Sequence, residues 1–181
     1  MFRRKFFKKL IIYTGGFIAS VGSISLILEN RKELPFSLPK DARFLNAEEW
    51  STIEAVTSRI IPTDDTPGAK EAYVVKYIYQ VLISAYSHLQ IPYKRGIAEV
   101  NRFSKKIFGR KFISLQEEKQ NYILRKMEKG EISNWDISYI SSKDFFDILR
   151  KHTLEGFFSD PKYGGNKDKI GWKFLGIRGD V

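Results

Sequence analysis

The sequence predicts an all-α fold: about five packed helices with a glycine- and aromatic-rich irregular C-terminal tail, preceded by an N-terminal signal or anchor helix. Three observations carry this. Apolar residues recur at three- and four-residue spacing in successive stretches, which builds one face of a helix each time. Alternation with a period of two, the mark of a half-buried strand, is weak throughout. Capping residues open these stretches, and glycine or proline closes them. Of the 181 residues, 43% are hydrophobic, which suffices for one core, and the 29% that are charged exclude a chain embedded in membrane throughout.

Residues 1–28 stand apart from the fold. Met1 to Lys9 read MFRRKFFKK, and Leu10 to Leu28 carry no charge. Basic first and apolar second is the order of a signal segment. Arg3-Arg4, followed by Phe6, Phe7 and Lys8, resembles the twin-arginine pattern R-R-x-F-L-K, with Phe7 in place of leucine. Gly15, Gly16 and Gly22 make the apolar stretch less greasy than an ordinary membrane span. The twin-arginine system is a receptor-read address and moves proteins already folded. A plain anchor is the competing reading, because the stretch is close to the roughly 20 residues that cross a bilayer and the basic end fits the positive-inside rule. Residues 1–28 are therefore a twin-arginine-type signal or signal anchor, and the expected location is the periplasm, at the inner membrane. Residues 29–45, with Pro35 and Pro39 and no period, are a tether. Residues 46–181 are the helical domain.

Within that domain, Asn46 and Glu49 form a capping box, and Trp50, Ile53, Val56 (or Thr57) and Ile60 share a helical face until Pro62 ends it. A loop, PTDDTPG, spans Pro62 to Gly68. A helix is expected from Ala69 to about His88, buried on nearly all sides from Tyr77 to Tyr86. Pro92 opens the next helix, whose face is Ile97, Val100, Phe103 and Ile107, and Gly109 stops it. Ser114 and Glu117 suggest a second capping box, for a helix ending near Gly130. Trp135 to Ile140 reads as irregular or a short turn. Ser141 or Ser142 caps a long helix through Phe157, and after Ser159 no period survives.

Several chemistries are excluded. Cysteine is absent, so thiolate nucleophiles, iron–sulfur ligation and c-type haem attachment are too. Neither G-x-G-x-x-G nor G-x-x-x-x-G-K-[ST] occurs. The net charge of +10 does not predict nucleic-acid binding, since Arg3, Arg4, Lys5, Lys8 and Lys9 supply half of it. The rest is spread over helices between acidic residues, as on a solvated face. His152 and Glu155, three apart on a helix, share a face and suit an acid–base pair or a metal, with Asp160 near in sequence. The plainer reading bonds His152 to backbone or to Glu155. Asp65 or Thr66 sets up the next helix, or Asp64 and Asp65 bind a cation. Phe157, Phe158, Tyr163, Trp172 and Phe174 must be buried on the domain's own core, on a partner, or on both.

Two blocks of these residues resemble the small subunit of gluconate 2-dehydrogenase, also called subunit 3 or gamma. Arg59-Ile60-Ile61-Pro62-Thr63-Asp64-Asp65-Thr66-Pro67-Gly68-Ala69 is similar to that family's R-I-I-P-T-D-x-T-P-G-A. The second block runs from Leu149 through His152, Glu155-Gly156-Phe157-Phe158, Asp160-Pro161 and Tyr163-Gly164-Gly165-Asn166 to Gly171-Trp172. It is similar to H-x-x-x-G-F-[FY]-x-D-P-x-Y-G-G-N followed by G-W. The twin-arginine start is usual in the family, whereas Gly176-Ile177-Arg178-Gly179 departs from its G-Y-P-G. The resemblance implies a non-catalytic subunit with no catalytic, cofactor or metal residues of its own, in a periplasmic, membrane-associated complex that oxidises gluconate or a related sugar. It implies a catalytic partner of the glucose–methanol–choline type with FAD, and a cytochrome subunit with haem c. The small subunit would lend its signal so that the flavin-loaded partner crosses the twin-arginine translocase folded. Pro62, Thr63, Asp64, Pro67, Gly68, His152, Glu155, Gly156, Phe157, Asp160, Pro161, Tyr163, Gly164, Gly165, Asn166 and Trp172 would be the motif through which partners are met. The rival expectation is a stand-alone periplasmic enzyme, or a membrane-tethered binding module, using His152, Glu155 and Asp160.

Overall fold

The structure is a computed structural model that describes residues 44–177. Among them are six α-helices and no strand: α1 (Ala47–Ile60), α2 (Val74–Leu82), α3 (Gln90–Phe108), α4 (Glu117–Glu128), α5 (Ser142–Phe158) and α6 (Ile170–Phe174). The signal or anchor, the tether up to residue 43, and Arg178 onward lie outside the described residues. No helix among the described residues is long and apolar enough to cross a membrane.

α5 is the hub. It packs against α1, α2, α3, α4 and α6, and Phe145, Phe146, Leu149, Leu154 and Phe157 are all buried on it. α2 is buried on most sides as well, as its apolar composition requires. The start of α1 is the expected capping box: Glu49 N–H donates to Asn46 Oδ1 at 2.9 Å, and Asn46 N–H donates to Glu49 Oε2 at 2.8 Å. Ile53, Val56, Thr57 and Ile60 face the core and Trp50 is half-buried. Leu45, assigned to the tether, is wholly buried. Ser141 caps α5 through a bond from Asp144 N–H, and Gly109 ends α3 at φ 69°.

Four expectations need correction. The helix expected from Ala69 to His88 shrinks to α2. Tyr73 takes a left-handed conformation (φ 55°) before it, and after it Tyr86 N–H bonds back to Val81 O at 2.7 Å. That turn delivers the Tyr86 ring onto α5, which a continued helix could not do. Ser114 does not cap α4. Burial of Phe112 draws Phe112–Ser114 into a 3₁₀ turn, held by Phe112 N–H to Asn101 Oδ1 at 3.1 Å and Gln120 Nε2 to Phe112 O at 2.9 Å, so α4 starts at Glu117 with no side-chain cap. Ile107 runs past the end of the core and is 47% exposed. The tail is regular in part: two 3₁₀ turns (Pro161–Tyr163 and Lys167–Lys169) lead into α6.

Candidate functional site

Three groups of motif residues occupy three environments. The first is a buried polar cluster where α2, α3 and α5 meet. His152 Nδ1 and Tyr93 Oη are hydrogen-bonded at 2.8 Å, both buried. The His152 ring lies parallel to Tyr86 at 4.6 Å and to Tyr93 at 5.8 Å between centroids. One helical turn on, Glu155 accepts from Tyr77 Oη at 3.3 Å and Tyr86 Oη at 3.4 Å, with Lys151 Nζ at 3.8 Å. His152 and Glu155 thus share a site without bonding to each other: Tyr86 stacks on one and donates to the other. A buried phenol needs a partner for its hydroxyl, and this cluster supplies three.

Burial raises the Glu155 carboxyl to about 7, against the lowering pull of Lys151, Tyr77 and Tyr86. Burial, with repulsion from Lys151 and His88, lowers His152 to about 3. Burial first, and then the Glu155 charge, raise Tyr77, Tyr86 and Tyr93. The two shifts act on stability with opposite signs. Native Glu155 holds its proton longer than the unfolded chain does, so its contribution is full below about 4.5 and is lost as pH rises through about 7. Native His152 refuses a proton the unfolded chain accepts near 6.5, so its contribution is present above that pH and is lost as pH falls toward 3. Between 4.5 and 6.5 they oppose each other. Urea unfolding of Glu155→Gln should therefore give a stability that climbs with pH across this window, and of His152→Phe one that declines, each by about 1 to 3 kcal/mol. Parallel profiles for the two variants would contradict this balance.

The second group is a clasp. An α-helix ends with carbonyls that no residue of its own satisfies, and the tail satisfies those of α5. Asn166 N–H donates to Gly156 O at 2.8 Å, Asn166 Nδ2 to Ser159 O at 2.7 Å and Trp172 Nε1 to Phe158 O at 2.9 Å. Asn166 Oδ1 in turn accepts from Gly171 N–H at 2.7 Å. The approach is so close that a Cβ on Gly165 would lie 2.1 Å from Gly156 O, and one on Gly171 would lie 1.9 Å from Phe157 O. Asp160 caps the turn that starts the clasp, accepting from Lys162 N–H at 3.0 Å. It sits at the surface, apart from the His152–Glu155 cluster. His152, Glu155, Gly156, Phe157, Tyr163, Gly164, Gly165 and Asn166 are all buried, while Asp160, Pro161 and Trp172 are half-buried.

The third group is the loop after α1. Asp64 Oδ1 accepts from Thr66 N–H at 3.2 Å and from its hydroxyl at 3.3 Å. Glu71 receives Thr63 Oγ1 at 2.6 Å and Gly68 N–H at 2.9 Å, and these bonds hold its carboxyl low against the raising effect of burial, the largest single influence. Asp64 and Glu71, not Asp65, set the loop. Thr63 to Pro67 are exposed, Pro62 is half-buried and Gly68 is buried. Beside it a shallow groove is lined by Ser58, Arg59, Thr63, Lys70, Glu54 and Gln120, among others.

Sequence reasoning missed Tyr77, Tyr86, Tyr93 and Glu71. Tyrosines in a stretch apolar nearly all round are the available signal for Tyr77 and Tyr86, Tyr93 four residues before Ile97 on its buried face for the third, and Glu71 three residues after Gly68 for the last. Among the described residues no three His, Cys, Asp or Glu come together as a metal site.

No curated protein and no solved structure matches the chain. One family does, gluconate 2-dehydrogenase subunit 3, over residues 47–179. That range takes in the loop after α1, the His152–Glu155 cluster and the clasp, and the chain belongs to the gluconate 2-dehydrogenase subunit 3 family.

Proposed function

We propose that this chain is the non-catalytic small subunit of a periplasmic, membrane-associated dehydrogenase complex acting on gluconate or a related sugar. The observation that carries the reading is the family match across the whole helical domain. The partner is a FAD-containing flavoprotein of the glucose–methanol–choline type, with a haem c cytochrome subunit receiving the electrons. The chain's part is export and assembly. Arg3-Arg4 ahead of an uncharged stretch supports the twin-arginine route, and a folded domain offers that route a cargo to which a flavin-loaded partner binds.

Burial divides the motif residues into those that build the domain and those that remain for a partner. Pro62, Thr63, Asp64, Pro67, Asp160, Pro161 and Trp172 keep solvent-facing atoms, and the flavoprotein docks on them. Two substitutions test this by pull-down with the flavoprotein and by thermal melting of the same proteins. Trp172→Ala should lower the melting temperature, since its indole bonds to Phe158 O, and also weaken the complex about thirtyfold per folded molecule, as buried tryptophan anchors do. Asp65→Lys on the exposed loop should weaken the complex and leave melting unchanged. Undiminished binding by both folded variants would remove this surface from the reading.

A further inference from the structure

α4 buries Gln120, Ile123, Leu124 and Met127. Lys119, Tyr122, Lys126 and Lys129, three and four residues apart, therefore line its outer side, with Arg125 next to Tyr122. The end of α3 joins this stripe. The Phe108 ring meets Tyr122 edge-on at 5.9 Å between centroids, and Lys119 Nζ lies 5.3 Å over Phe108. Lys105 precedes Phe108 by one helical turn. Several other cations sit on carboxylates: Lys94 on Glu49, Lys111 on Glu48, Lys143 on Asp147, Arg150 on Asp147 and Glu128. Lys126 is paired with Glu131. Lys105, Lys119, Arg125 and Lys129 make no ion pair among the described residues; Glu118 and Glu128 are on α4 as well, and Glu131 feels the charge of Lys129. Amid these charges Tyr122 is 40% exposed.

We infer that this stripe rests on an anionic phospholipid surface. Lysines and arginines that find no carboxylate on their own domain complement lipid phosphates. A partly exposed tyrosine between them suits the headgroup boundary, where one end of a side chain is apolar and the other wet. The choice of lipid over an acidic protein rests on the export and anchoring proposed above: a tether over residues 29–45 would hold the domain within about 60 Å of the bilayer even fully extended.

The chain has no cysteine, so Tyr122→Cys can carry a single polarity-sensitive fluorophore. The full chain is mixed with phosphatidylcholine vesicles, with and without phosphatidylglycerol. The label should enter an apolar setting and be quenched by lipid-borne nitroxide only when phosphatidylglycerol is present, and high salt should reverse this. Lys105→Glu/Lys119→Glu/Arg125→Glu should raise the phosphatidylglycerol needed by about tenfold or more, and Lys119→Gln/Arg125→Gln by less. Circular dichroism checks that each variant is folded. A label that stays in water, that responds equally to neutral vesicles, or that responds only to added flavoprotein would overturn the lipid assignment. Flotation of the chain with neutral vesicles reads the N-terminal anchor separately. A chain that fails to float there contradicts the anchor, and the phosphatidylglycerol-dependent signal still judges the stripe.

Discussion

Asn166→Ala is expected to destabilise the domain by roughly 4 kcal/mol, because it leaves two buried backbone groups without partners at about 1 to 3 kcal/mol each. Asn166 is fully buried. Its side chain accepts from Gly171 N–H and donates to Ser159 O, both at 2.7 Å. Its backbone is left-handed (φ 45°), a conformation asparagine tolerates and alanine resists. Asn166→Asp keeps the acceptor and loses the donor, so it should fall between wild type and alanine. Gly165→Ala attacks the same clasp sterically, since its methyl group would lie 2.1 Å from Gly156 O and the backbone would have to shift. Chemical denaturation of the three variants measures this. An Asn166→Ala protein within about 1 kcal/mol of wild type would mean that the clasp does not hold the end of α5.

The second large effect concerns export. Arg3→Lys with Arg4→Lys preserves every charge of the N-terminal segment and removes the guanidinium pair. An anchor guided only by charge would not register the change. A receptor-read twin-arginine address would. The double variant is therefore expected to leave both this chain and the flavoprotein proposed above in the cytoplasm, with periplasmic dehydrogenase activity lost almost completely. Fractionation followed by immunoblotting of both subunits makes the measurement. Normal periplasmic activity in the double variant would end the proposal that the partner travels on this signal.

The helices were legible because their signals are local. Asn46 and Glu49 cap α1, Pro62 ends it, Gly109 ends α3 and Ser141 opens α5, and each acts within one turn of the chain. What was illegible depends on distant residues. The helix through Ala69 to His88 fails because Tyr86 is drawn onto His152, which lies far along the sequence. The Ser114 cap fails because Phe112 is drawn into the core. The spacing of His152 and Glu155 singles them out, but their partners Tyr77 and Tyr93 come from α2 and α3 and Tyr86 from the turn after α2, and no pattern within α5 names them. The tail looked irregular because a clasp made by one asparagine and close glycine contacts has no period. The cationic stripe reads as scattered charge for the same reason: α3 and α4 bring Lys105 and Lys119 together through Phe108, which meets both Tyr122 and Lys119.

These buried commitments bear on the rival enzymatic reading. His152 is neutral at physiological pH and hydrogen-bonded to a buried tyrosine, Glu155 lies under two phenols and a lysine, and Asp160 caps a surface turn. His152 and Glu155 share one buried cluster through Tyr86, while Asp160 lies apart on its turn, so the three residues of that reading do not form one site.

The most direct test of the proposed accessory role is purification of the full chain from its own membranes in mild detergent, beside the same chain produced without its neighbours. The membrane preparation should carry flavin and c-type haem spectra and oxidise a sugar or sugar acid with an artificial acceptor, while the chain produced alone should show neither spectrum and no turnover. A solitary chain that binds a redox cofactor stoichiometrically and oxidises gluconate would contradict the account.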